Sequence, residues 1–164
     1  MARDIVAYLL QTELVRSGAA IGAVFEFAGR VVERMSMDER ATLTNMVAEM
    51  GGFSGIVAPD ETTLAFLRER RGIDITLEPW MRSDPGATYR DVLRVDCSAL
   101  QPMVAKPGDP GNALPLADLD HPVSVDIALG GSCTAGKRAD FDAYHAVLKW
   151  ALERELRVSP HTRM

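Results

Sequence analysis

The stretch from Ser36 to Gly52 constrains the fold more than any other part of the chain. Ser36 precedes MDERATLTNMVAEM with Glu39 three positions on, the arrangement that caps a helix start, and Gly51-Gly52 ends the run. Apolar stretches flank it: Ala19–Phe27, rich in extended-chain formers and closed by Gly29, and Phe53–Ala58, bounded by Pro59-Asp60. The same alternation recurs along the chain. Asp4–Arg16 carries Ile5, Val6, Leu9, Leu10, Leu14 and Val15 at helical spacing, with Gly18 where a left-handed cap would sit. ETTLAFLRERR reads as a helix capped by Asp60 or Thr62 and stopped at Gly72, its Arg68, Arg70 and Arg71 complementing the helix dipole. Ile73–Leu77 and Val92–Cys97 read as strands on either side of a turn-rich segment, Glu78–Thr88, that marks a boundary. Pro102–Leu116, with four prolines and two glycines, reads as a long loop. Val123–Leu129 is a β-branched strand leading into Gly130–Lys137. The helix over Asp140–Glu153 then sets Phe141, Tyr144, Val147, Leu148, Ala151 and Leu152 on one face. Strands alternating with helices make the class α/β.

Charge and cysteine usage narrow the partners. The 164 residues carry 18 basic and 23 acidic side chains, a net charge of −5, which argues against a protein that tracks nucleic-acid phosphates. Cys97 and Cys133 are too few and too scattered for a disulfide framework or a zinc site built on paired cysteines, so a reducing, cytoplasmic setting is expected. No run approaches the roughly 18 apolar residues that span a bilayer, so neither a membrane partner nor a signal peptide is expected.

Three local features bear on chemistry. Gly131 and Gly136-Lys137 have the spacing of a phosphate-binding loop, but Arg138 stands where such a loop needs Ser or Thr to hold magnesium. Cys133 sits at a strand-to-helix turn, where backbone N–H groups favour a thiolate. It is either a nucleophile, needing a base such as His121 or His145, or an inert cysteine. Asn45 and Glu49, spaced i and i+4 among Leu43, Met46, Val47 and Met50, leave one helix face as a solvated polar pair or as two groups pointing into a cleft.

EFAG at 26–29, SMDERATLTNMVAEMGG at 36–52, VAPDETT at 57–63 and GGSCTAGKRADF at 130–141 together resemble the aconitase superfamily, in particular 3-isopropylmalate dehydratase large subunits and homoaconitase-like chains. The motifs follow the family's order over nearly the whole chain. The resemblance implies an aconitase-type iron–sulfur domain, strands alternating with helices in layered α/β/α packing. It implies a hydro-lyase that interconverts 2-hydroxy and 3-hydroxy di- or tricarboxylic acids through an unsaturated intermediate. The cofactor is then a [4Fe–4S] cluster on three cysteine thiolates, whose open iron polarises the leaving hydroxyl while a separate base removes the carbon-bound proton. Cys133 matches the first cluster ligand, within a loop whose Ser132 and Thr134 flank the cofactor. Glu49 matches the glutamate that contacts the iron-bound hydroxyl or water, and Asn45 the asparagine that supports the cluster edge. A small hydroxy-carboxylate substrate and a small swivelling subunit or domain are the implied partners.

Several positions depart from the family pattern. Ala135 replaces a common asparagine, Thr44 stands where many relatives have a non-ligand cysteine, and Cys97 matches no ligand. No Cys-x-x-Cys pair follows Cys133, and the family's N-terminal Asp and His residues and its swivelling domain are missing. The expectation is a central fragment, excised or truncated, of the catalytic chain of such a hydro-lyase, inactive alone. Its residues 1–89 would form one α/β domain and 90–164 the first part of the next, bearing the Gly-Ser-Cys-Thr loop. The alternative is a non-catalytic or split subunit that takes the missing cysteines from partner chains.

Overall fold

A computed structural model describes residues 2–164. The chain divides into two packing units, Met1–Ala117 and Asp118–Met164. In the first, α1 (Ala2–Leu9) is followed by the short α2 (Glu13–Arg16) rather than running on as one helix to Arg16. The break has a local cause: the Thr12 hydroxyl donates to the Leu9 carbonyl at 2.6 Å, and Thr12 takes an extended backbone that begins α2. Of the apolar stretch 19–27 only Val24–Glu26 (β1) is a strand, since Ala20 and Gly22 belong to a turn.

The short α3 (Arg30–Glu33) leads to α4 (Met37–Asn45), whose N-cap forms as its sequence predicts, Ser36 Oγ accepting from the Glu39 amide. β2 (Ser54–Ile56) then pairs parallel with β1, Val24 opposite Ser54 and Glu26 opposite Ile56, the crossover running through α3 and α4. α5 (Glu61–Arg71) has the predicted start and stop. The Asp60 carboxylate accepts from the Thr62 and Thr63 amides, the Asp60 amide donates to the Thr63 hydroxyl oxygen, and Gly72 takes the left-handed cap.

Three stretches differ from the sequence reading. Ile73–Leu77 and Val92–Cys97 form no strand, and Cys97 opens a 3-10 turn, Cys97–Ala99. Conversely, the expected long loop 102–116 folds into an antiparallel hairpin, β3 (Met103–Ala105) with β4 (Ala113–Pro115). Here Pro102 and Pro115 stand at the strand ends, where a missing N–H costs nothing, Pro107 and Pro110 lie in the connecting turn, and Gly108 supplies its positive φ. Residues 90–117 pack within the first unit. Val95 lies against its core, Arg90 donates to the Ala19 carbonyl, and the Met103 amide donates to Asp4 at 2.8 Å. The packing division therefore falls after Ala117, while the turn-rich segment led to a boundary near Tyr89.

The core is built by α1 and α4: Val6, Leu9, Leu10, Leu43, Val47 and Met50 are buried, with Met35 beside them and Phe25 and Phe27 covering one side. Arg40 is buried with them at 3% exposure. It donates through both terminal nitrogens to Asp60, each at 2.7 Å, and through one to the Glu33 carbonyl.

In the second unit α6 (Arg138–Leu152) is the one regular element, and no residue of 118–164 is buried. Val123–Leu129 does not form a strand. It makes one parallel bridge, Ile127 with Arg163, because no second extended segment runs far enough to continue the ladder.

The Asp60 carboxyl is held below its usual 3.8 chiefly by the Arg40 hydrogen bonds, with the Thr63 and Thr62 amides adding to them against the cost of burial. A carboxyl that ionises more readily folded than unfolded stabilises the fold fully above the unfolded value, and this is lost as pH falls through the lower folded value. Asp60→Asn should lower stability by about 2 kcal/mol at pH 7, because Arg40 stays buried without its counter-charge. Urea midpoints should show a gap from wild type that is constant down to about pH 5 and narrows below about pH 4; a gap independent of pH would remove the ion pair as its cause.

Candidate active site

Glu49 and Asn45 do not share a continuous helix. α4 ends at Asn45, and the chain then tightens: the Val47, Met50 and Gly51 amides bond back three residues, to Thr44, Val47 and Ala48. The cause lies in the packing beneath. Gly52 and Gly55 let α4 and its following turn sit directly on β1 and β2. A methyl built on Gly55 would lie 2.8 Å from Thr44 Cα, and one on Gly52 would lie 2.4 Å from Val47 Cγ1 and 2.8 Å from Phe25 Cε2. Thr44 itself turns its hydroxyl back to the Arg40 carbonyl at 3.1 Å, so it presents no polar group of its own outward.

Asn45 is exposed and lines an open cleft of about 360 Å³ with Thr44, Ala48, Phe53 and Ser54. Glu49, exposed on the next turn, is not among the lining residues. The cleft reading of Asn45 thus has a concave surface behind it, and the same-face geometry is replaced by two successive turns.

The second unit carries the cysteine loop. Cys133 is exposed and forms no disulfide. It is presented by a tight turn in which Ser132 has φ 119° and Gly131 φ 149°, a conformation that costs a non-glycine residue strain. Within it the Ala135 amide donates to the Ser132 carbonyl at 3.3 Å, and Gly136 comes so close that a methyl there would lie 2.6 Å from the same oxygen. α6 starts immediately after, the Asp140 carboxylate accepting from the Lys137 backbone amide at 3.1 Å. Lys137, the residue that phosphate-loop spacing would aim at a ligand, instead donates through Nζ to the Cys133 carbonyl at 3.3 Å. His121 and His145 are exposed.

Cys97, which the sequence leaves without a role, lines a second open cleft of about 640 Å³ with Asp4, Arg34, Glu39 and Gln101. No spacing in the sequence points to it, because its walls come from three separate segments of chain. Among the described residues no group of three or more His, Cys, Asp or Glu side chains converges as a metal site, and no helix is long and apolar enough to cross a membrane.

A parallel β–α–β crossover with glycine-packed helix and strands, and a cysteine loop at the head of a separate helix, place this chain among α/β proteins whose chemistry resides in loops and helix ends. The family is shown directly: residues 1–123 match the Aconitase family (aconitate hydratase), and the chain belongs to it. Curated relatives extend the likeness past that match and through Cys133. The 3-isopropylmalate dehydratase large subunit of Aquifex aeolicus is 34% identical over 165 residues, covering 99% of this chain and 36% of its own length. The chloroplastic large subunit of Arabidopsis thaliana is 40% identical over 142 residues, covering 87% and 27%. Large subunit 1 of Methanopyrus kandleri is 38% identical over 149 residues, covering 90% and 34%. The chain spans about a third of the length of the relatives it matches.

If the close approach at Gly55 sets the turn that carries Asn45 and Glu49, then Gly55→Ala must push β2 away from Thr44 and Val47. The expected cost is about 1–3 kcal/mol, read as a lower Tm together with shifted amide resonances over residues 44–50. An unchanged spectrum over those residues would show that the turn is set elsewhere.

Proposed function

We propose that this chain supplies part of the active centre of a hydro-lyase of the 3-isopropylmalate dehydratase or aconitase type, which dehydrates and rehydrates 2-hydroxy and 3-hydroxy di- or tricarboxylic acids. The observation that carries the reading is Cys133, exposed on its strained loop inside an alignment that covers 99% of the chain. A cysteine sulfur exposed on a loop is a suitable donor to an iron–sulfur cluster.

The donor set of this chain does not by itself fit a [4Fe–4S] cluster. Cys133 supplies one thiolate where the family's cluster takes three, and no cluster of metal-ligating side chains forms among the described residues. In this reading the remaining thiolates come from outside these 164 residues. Ser132 and Thr134 flank the cofactor, Glu49 offers a carboxylate to the substrate hydroxyl or to water, and Asn45 offers an amide from the wall of its cleft. Relatives named as large subunits support a small-subunit partner, here the swivelling element that completes the substrate site. An exposed Cys133 suits a compartment that keeps thiols reduced.

Anaerobic reconstitution with iron and sulfide tests this. The 164-residue chain alone should show no dehydratase activity and no stable cluster absorption band. Co-expressed with a chain bearing Cys-x-x-Cys and with the small subunit, it should gain the band. Cys133→Ala should then abolish the band, and Glu49→Gln should keep it while lowering kcat by about 10²-fold or more. A stable band in the chain alone would overturn the incomplete donor set, and a band that survives Cys133→Ala would remove Cys133 from the ligands.

A further inference from the structure

We infer that Tyr144 is the positioning residue of the Cys133 loop, clamping both of its stems to α6. The Tyr144 hydroxyl donates to the Ala135 carbonyl at 3.1 Å, holding the stem that follows Cys133. Its ring fills the space left by the missing side chain of Gly130, where a methyl would meet ring atoms at 3.2, 3.3 and 3.5 Å, so the same residue also holds the stem that precedes Cys133. Phe141, one turn earlier on α6, meets the ring edge-on at a centroid distance of 5.8 Å and fixes its tilt. Lys137 adds a third tie from α6, Nζ to the Cys133 carbonyl.

The loop needs such a clamp. Ser132 holds a positive φ that a non-glycine residue leaves unless its surroundings over-determine it, and no residue of this unit is buried. Within the loop the Ala135 amide donates to the Ser132 carbonyl at 3.3 Å. Order at Cys133 therefore derives from α6 through Tyr144. Its value for chemistry rests on the reading of Cys133 as a cluster ligand, since a thiolate held in one orientation binds iron without first ordering its own loop.

Amide hydrogen exchange on the full chain tests the clamp. Tyr144→Phe keeps the ring and loses the hydroxyl, and should speed exchange of residues 131–136 about fivefold, the effect of one neutral hydrogen bond. Tyr144→Ala should speed it further, with residues 145–151 of α6 changed much less. Gly130→Ala, which crowds the ring and leaves α6 intact, should act in the same direction. A nitroxide on Cys133 in a Cys97→Ser background should become more mobile in all three. Loop exchange unchanged in both Tyr144→Ala and Gly130→Ala overturns the proposal, as does loop exchange rising only by the factor seen in α6. Because the readout needs no iron, the two readings fail separately. A cluster that survives Cys133→Ala in the complemented complex removes the ligand role alone, and an unaltered loop removes the clamp alone.

Discussion

The first unit is organised around a charge that cannot leave its place. Arg40 is 3% exposed, and a guanidinium in such a setting is tolerated only when its donors are met. Four of its five N–H groups lie on the two terminal nitrogens, which Asp60 and the Glu33 carbonyl engage, while Nε is buried with no partner among the described residues. The pair therefore joins the end of α3, the body of α4 and the first turn of α5 at one point. Asp60 serves twice, since the carboxylate that neutralises Arg40 also caps α5. Helix start and ion pair thus stand or fall together, and α4 is held in azimuth as well as in depth, with Leu43 and Val47 turned inward and Asn45 outward.

Features with a local physical cause were legible in the sequence. The Ser36 and Asp60 caps, the stop at Gly72 and the start of the C-terminal helix all depend on residues within one turn of each other, and all appear within a residue or two of where spacing put them. Features that depend on distant partners were not. The hairpin 103–115 was hidden because its prolines argue for a loop unless one knows that they fall at strand ends and in the turn. The VSVDIAL stretch has strong strand propensity, yet propensity cannot provide a neighbouring strand, and a single bridge results. Arg40 gave no signal either, since an arginine in a polar helix is normally solvated and its burial is decided by Asp60, twenty residues on.

The candidate site divides along the same line. The Gly-Ser-Cys-Thr pattern and the Asn45 and Glu49 positions could be picked out from motifs, but their geometry could not. The helix that should have carried both Asn45 and Glu49 ends at the first of them and continues as successive turns, where Gly52 and Gly55 let β2 lie directly against it. Glycines read as punctuation in the sequence thus prove to set the separation of two layers. Tyr144 was noted as part of an apolar face, and its hydroxyl is the part that matters, reaching nine residues back to the Ala135 carbonyl.

The two units hold their candidate residues by different physics. Asn45 and Glu49 stand at the surface of a buried apolar core, so their backbone inherits its rigidity from Leu43, Val47 and Met50. Cys133 has no such core beneath it. In the proposed role, a cysteine that shares a metal group with donors from elsewhere must remain open to approach, and burial would close that approach. Exposure, however, removes the packing that normally enforces a strained backbone such as that of Ser132. Contacts confined to the loop and its own helix resolve this conflict, with Tyr144 beneath both stems, Lys137 on the Cys133 carbonyl and Asp140 closing the cap. They order the turn from one side and leave the sulfur itself uncovered.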